Sequence, residues 1–225
     1  IICKQLRHPL VEDADQKVAF VGNDVTIGPN NNLLLYGLNA AGKSTLMKSI
    51  AIAIIMAQAG MYVPATSFQY IPFRSLFTRI TKGDDIKKHQ STFMVEMQEL
   101  RSILKRANRH SLVIGDELCC GTESASAVGI VAAGLSTLTE KNKCTFVFTT
   151  HLHDLTSMNC IGDLVRHKRL KIYHLHVEYN PEDHSLVFDR KLRVGQGLRI
   201  YGIEVCRALQ IDQDFIDMAN GIRNE

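Results

Sequence analysis

The chain lacks what would place it in several broad classes. Its formal net charge is only +3, too slight to argue for nucleic-acid binding, which needs a concentrated basic face. No apolar run approaches the roughly 20 residues of a membrane span. The longest candidate, IAIAIIMAQAGM at 50–61, reads as a buried helix, and no membrane association is expected. The six cysteines, Cys3, Cys119, Cys120, Cys144, Cys160 and Cys206, contain no CxxC pair. That scatter argues against a zinc site or a disulfide framework and fits free thiols in a reducing, intracellular setting. With no targeting signal, internal repeat or low-complexity linker to divide it, a chain of 225 residues with 45% hydrophobic content is expected to form one domain.

What is present is an alternation of two hydrophobic patterns. NLLLY at 32–36 is a short apolar run ending at Gly37, the pattern of a strand buried on both faces. Nearly continuous apolar residues over 43–59 predict a helix enclosed by its neighbours and stopped by Gly60. In 92–107, Phe93, Met97, Leu100 and Leu104 fall on one helical face, with Glu96, Glu99, Arg101 and Lys105 mostly elsewhere. SLVIGDEL at 111–118 reads as a second buried strand, 126–138 as a helix, and CTFVFTTH at 144–151 as a third strand. Stretches 169–179 and 185–194 flank NPEDH and predict an antiparallel edge hairpin. Two short helices, near 201–209 and 212–222, finish the chain. Strands alternating with helices indicate an α/β domain with a mainly parallel sheet.

Gly37-Leu-Asn-Ala-Ala-Gly42-Lys43-Ser44 satisfies G-x-x-x-x-G-K-[ST] between a strand and a helix, the context that motif requires. Glycines let the backbone curl so that N–H groups from Gly37 through Asn39, Ala40, Ala41 and Gly42 to Thr45 face an anion, and the helix adds the positive end of its dipole. Lys43 would neutralise the β- and γ-phosphates of ATP, and the Ser44 hydroxyl would ligate Mg²⁺. The strand ending in Asp116-Glu117 supplies the acidic element such a loop needs. Asp116 would hold Mg²⁺ through water, and Glu117 would polarise the attacking water as general base. His151, at the end of the next strand, stands where it would meet the γ-phosphate or the water, with a structural role as the alternative.

Together these stretches resemble the ATPase domain of the MutS family of DNA mismatch-repair proteins, in the ABC-type branch of P-loop ATPases. The ordered set is RHPLVE (7–12), FVGND (20–24), GLNAAGKST, STFMVEM (91–97), DELCCGTES and TTHLHDLT, and STFMVEM is its most specific member. The resemblance covers nearly the whole chain. It implies an α/β P-loop ATPase of ABC type, a mainly parallel sheet flanked by helices with an antiparallel edge, spanning 1–225 within a larger protein. It implies that Phe20 and Val21 lie beside the adenine, with Asn23 on the same loop. Ser91 matches the signature serine that completes the ATP site of a second, facing ATPase domain, a homodimer before a heterodimer. Gly121-Thr122 resembles the loop linking the two sites, and His151 matches the family histidine after TT. ATP turnover would then be coupled to mismatched double-stranded DNA held by other domains.

The chain departs from the family pattern in places. Leu38, Ala40 and Ala41 replace the usual Pro, Met and Gly, and Cys120 stands where an arginine is common. His89 and Gln90 replace a glycine and an arginine, and Glu204 stands where some members have a histidine near the base. DELCCGTES and the MAQAGMYVP segment at 56–64 look closest to the divergent organellar and large-virus branch. His174, His176 and His184 cluster on the predicted hairpin, where a solvated strand face is a simpler reading than a metal site. RHKRLK at 166–171 is a basic run for which a solvated edge is a simpler reading than a contact with DNA. An ABC transporter subunit would carry L-S-G-G-Q before the acidic strand, and none is present. The remaining alternative is a slow or non-hydrolysing structural or recombination member of the same family, for which ATP is a dimerisation ligand.

Overall fold

Two β-sheets organise the chain in the computed structural model, which describes residues 1–14, 20–38, 41–80, 92–119, 122–180, 185–197 and 202–223. The larger has strand order β5-β6-β7-β3-β8-β9: β5 (Ser75–Arg79), β6 (Ser111–Gly115), β7 (Thr145–Thr149), β3 (Asn32–Tyr36), β8 (Leu170–Asn180) and β9 (Ser185–Val194). Neighbours from β5 to β8 pair in parallel, and β9 returns antiparallel on β8. A small antiparallel sheet, β2-β1-β4, is built from β1 (Ile2–Leu6), β2 (Asn23–Thr26) and β4 (Ser67–Gln69). The result is the expected α/β arrangement, a mostly parallel sheet flanked by helices with an antiparallel edge, consistent with an ABC-type P-loop ATPase.

The central strands are fully buried because their two faces meet different layers. Leu34, Tyr36, Val113, Phe146 and Phe148 face a core completed by α3 (Thr92–Arg106), α4 (Ser124–Glu140) and α5 (Asn159–Arg166). Leu33, Leu35, Leu112, Ile114 and Val147 point the other way, toward α2 (Lys43–Gln58) and the small sheet. That is the two-residue alternation of a strand, apolar on both sides. Burying each such side chain contributes about 1.5–3 kcal/mol, which confines these runs to the middle of the sheet. At the strand starts Asn32 is fully buried; its Oδ1 accepts from Phe146 N–H at 2.7 Å.

Several boundaries differ from expectation. β6 stops at Gly115, leaving Asp116-Glu117 in the following turn, and β7 stops at Thr149, ahead of His151. Helix α2 is not enclosed throughout: Ile55 in its last turn is 55% exposed. Glu96 on α3 is buried rather than solvent-facing, at 1% exposure. α1 (Pro9–Ala14) was not foreshadowed by any strong periodicity. Its first turn is held by His8, whose Nδ1 accepts from Val11 N–H at 3.3 Å. Burial and the Lys48 charge lower the pKa of that imidazole. The hairpin β8–β9 is as predicted, and α6 (Gly202–Ala208) and α7 (Gln213–Arg223) follow it. No helix among the described residues is long and apolar enough to cross a membrane.

Candidate functional site

Parallel sheets place ligand sites beyond the carboxyl ends of their strands, and three strand ends converge here. The loop after β3 carries Gly37 and Gly42, with φ of 147° and 103°, in the left-handed region that glycine tolerates. Gly42 is the residue from which α2 starts, so the helix N-terminus opens directly onto the loop. Lys43 is 4% exposed, and its Nζ donates to the carbonyls of Gly37 (2.7 Å) and Leu38 (3.1 Å). It also lies 3.1 Å from Glu117 Oε1. The first strand end is thereby joined to the second by an ion pair, half-way into the protein on the glutamate side.

Asp116 is nearly buried, at 7% exposure. The Thr149 hydroxyl donates to its Oδ1 at 2.5 Å, and the Glu117 N–H donates to the Thr149 carbonyl (3.2 Å) and hydroxyl (3.1 Å). Thr149 therefore ties the acidic turn to the third strand end. Glu117 has φ of 44°, a left-handed conformation that costs a non-glycine residue about 1–3 kcal/mol. One residue beyond, Thr150 N–H donates to Leu35 O at 3.0 Å, closing the circuit back to β3. His151 follows, exposed. Ser44 and Thr45 sit half-buried in the first turn of α2. Ser44 and Asp116 offer hard oxygen donors of the kind Mg²⁺ takes.

A cleft beside the loop gathers the residues expected near a base. Phe20, Val21 and Asn23 line it together with Ala41, Gly42 and Thr45. Val11, Leu175 and Arg190 also line it, and none of these three was anticipated. Asn23 is buried, and its amide is taken up by the protein: Nδ2 donates to Arg190 O at 3.0 Å and Oδ1 accepts from Leu192 N–H at 2.8 Å. It clamps β9 to the start of β2 rather than presenting its amide to the cleft. The clamped part of β9 is a bulge, in which Asp189, Arg190 and Lys191 stand opposite His176 alone. Its backbone is turned by Arg190 at φ 54° and braced by Lys191 N–H to Asp189 Oδ1 (2.8 Å) and Lys191 Nζ to Gly22 O (2.8 Å). An Asp two residues before its own backbone partner is a turn signal, the one trace of the bulge in the sequence.

His153, which the sequence left without a role, stacks on Tyr36 at 5.3 Å between ring centroids; Tyr36 immediately precedes Gly37. His174 Nδ1 contacts Gly195 O at 3.0 Å. Asn39, Ala40, Ser91, His89, Gln90, Cys120, Gly121 and His184 lie outside the described residues. Cys3, Cys119, Cys144, Cys160 and Cys206 are free thiols. A larger cavity of about 550 Å³, lined in part by Val165, Leu170, Ile172 and Val194, lies elsewhere, and no predicted site residue lines it.

Comparison with known proteins gives the family of the chain. The model of MutS domain V matches residues 33–225. A mutS homologue of Acanthamoeba polyphaga mimivirus is 40% identical, covering 98% of this chain and 22% of its own length. A mitochondrial DNA mismatch repair protein mutS homologue of Sarcophyton glaucum is 42% identical over 95% of this chain and 21% of its own. The DNA mismatch repair protein MutS of Methanosarcina mazei is 41% identical over all of this chain and 25% of its own. The chain thus spans about a quarter of the length of the curated relatives it matches. Viral, mitochondrial and archaeal relatives stand at nearly equal identity, so the likeness singles out no branch. The chain belongs to the MutS family, whose domain V it carries.

Proposed function

We propose that this chain binds and hydrolyses ATP as the ATPase module of a MutS-like DNA mismatch repair protein. The observation that carries the reading is the 3.1 Å contact of Lys43 with Glu117, which brings the phosphate-loop lysine and the acidic turn to one point. In the proposed reaction the triphosphate occupies the loop's N–H groups, and Lys43 exchanges its carbonyl and glutamate acceptors for phosphate oxygens. Glu117, released from the lysine, takes a proton from water as the water oxygen bonds to the γ-phosphorus and the bond to the bridging oxygen breaks. Ser44 and Asp116 would hold Mg²⁺, which when bound offsets charge on the phosphates. The base would rest in the cleft bounded by Phe20 and Val21. His151 would contact the γ-phosphate or the water.

Ser91 would complete the site of a second copy of the domain, so that ATP bridges a dimer, and other parts of the polypeptide would couple that cycle to mismatched DNA. Family membership supports the ATP-binding and hydrolysing role. Substituting Glu117→Gln tests it: ATP binding measured at equilibrium should persist while phosphate release falls about 10²–10⁴-fold, the span of general-base contributions. Turnover unchanged by that substitution would falsify the assigned base. Absence of phosphate release from the wild-type chain, with ATP still bound, would favour the non-hydrolysing alternative.

A further inference from the structure

Behind the acidic turn lies a buried ion pair that the proposed chemistry does not use. Arg79, at the end of β5, and Glu96, one turn into α3, have side chains 5% and 2% exposed and meet at 2.7 Å through Arg79 Nη2 and Glu96 Oε1. The second carboxylate oxygen, Oε2, accepts from the backbone N–H of Cys119 at 3.2 Å. The carbonyl of Arg79 accepts from the N–H of Asp116 at 2.7 Å. One pair of residues therefore grips the segment Asp116–Cys119 at both ends.

That segment needs gripping. Glu117 and Cys119 have φ of 44° and 65°, and strained non-glycine backbone persists only where its surroundings over-determine it. Net stability is a weak reason for the pair itself, because apolar side chains of equal volume often serve a core as well or better. What apolar side chains cannot supply is an acceptor for the Cys119 N–H. Arg79 in turn holds the carboxylate on which that acceptor depends, and its Nε lies 2.9 Å from Glu99 at the helix surface.

We propose that Glu96 is a positioning residue for hydrolysis: held by Arg79, its carboxylate fixes the Cys119 end of the acidic turn and so sets where the Glu117 carboxylate stands. The inference rests on the hydrolytic reading above. It gives α3 a direct mechanical link to the acidic turn, since Glu96 belongs to the helix and Cys119 to the turn.

Two double variants of the full chain separate positioning from packing. R79M/E96M removes both charges and the acceptor; R79M/E96Q removes the charges but keeps an amide oxygen for Cys119. Both should retain a cooperative melting transition and bind ATP within about threefold of wild type. A misplacement on the order of 1 Å costs about 10²-fold in rate, so kcat of R79M/E96M should fall roughly 10–100-fold, while R79M/E96Q recovers most of it. A folded R79M/E96M variant with wild-type kcat overturns the positioning role. Glu96→Asp gives the same contrast if that variant does not fold. It keeps the charge but withdraws the oxygen from Cys119, so faster hydrogen exchange of the Cys119 amide should accompany a lower kcat. Faster exchange with unchanged kcat overturns the proposal. A wild-type chain that hydrolyses ATP alongside equally active variants refutes this inference alone, whereas a wild-type chain that does not hydrolyse ATP removes the functional reading with it.

Discussion

Gly115 closes β6 one residue before the acidic pair, and alanine at that position would test how tightly the strand end is packed. Gly115 pairs across the sheet with Phe148. An added Cβ would lie 2.1 Å from Cε1, 2.3 Å from Cδ1 and 2.8 Å from Cζ of that ring. Carbon pairs prefer about 3.5–4.0 Å, so the ring must retreat by roughly 1.5 Å. It has little room: Phe148 is 1% exposed and meets Phe146 nearly edge-on at 5.5 Å. Overpacking of this kind costs about 1–3 kcal/mol. At about 2–4 °C per kcal/mol for a chain of this size, the melting temperature of Gly115→Ala should fall by roughly 2–12 °C. Thermal denaturation followed by circular dichroism reads this directly. Adding Phe148→Leu should restore part of the loss, because the smaller side chain vacates the contested volume, so the two substitutions together should cost less than their sum by about 0.5 kcal/mol or more. A melting point for Gly115→Ala indistinguishable from wild type would refute the packing account, and purely additive effects in the double variant would refute the identity of the obstructing ring.

Asn23→Ala should lower the urea midpoint by the equivalent of about 1–3 kcal/mol, since it leaves the Leu192 N–H without its buried acceptor. Hydrogen exchange at the Leu192 amide should quicken while amides of β6 do not, and equal protection in the variant would discard the clamp. Among the thiols, burial raises the pKa of Cys3 to about 11 and of Cys144 to about 12, so at pH 8 less than about 10⁻³ of the Cys3 population is thiolate. Brief alkylation of the native chain, mapped by mass spectrometry, should modify exposed Cys160 and spare both; labelling of Cys144 as fast as Cys160 would contradict its burial.

The parts of the fold legible in the sequence are those where one physical signal has no competitor. β3, β6 and β7 are apolar on both faces because helices cover both, so each reads as an uninterrupted run. Glycines at Gly37 and Gly42 mark backbone that other residues resist. The elements that were missed carry weaker signals. β1 has two buried residues among exposed ones and β4 only three residues in all, too short for a period to emerge. α1 exposes Leu10 at 72% and Val11 at 42%, so its apolar residues do not mark a buried face. Glu96 illustrates a different limit. Helical periodicity assigns charge to the solvent side, and what reverses that assignment is Arg79, 17 residues earlier on a strand whose sequence, SLFTR, gives no strong alternation. Asn23, read as lying on the loop of Phe20 and Val21, opens β2, and its partner lies in a bulge 167 residues away, a relation no local pattern encodes.

The resting contact of Lys43 with Glu117 also bears on why the acidic turn is anchored so heavily. In the proposed cycle an arriving phosphate takes the lysine, and the same event removes the positive charge that faces Glu117. A carboxylate held only by that lysine would then be free to follow it or to swing toward solvent, since Glu117 is 24% exposed. The backbone bonds to Thr149 and the Glu96 anchor on Cys119 do not involve Lys43, so they survive the exchange. They hold a residue in a left-handed conformation that its own preferences oppose. Strain at Glu117 is thus supported from β7 and α3, through bonds in which Lys43 takes no part. On this account the positioning of the base is independent of its resting partner, which is what allows one contact to be broken by substrate without dispersing the site.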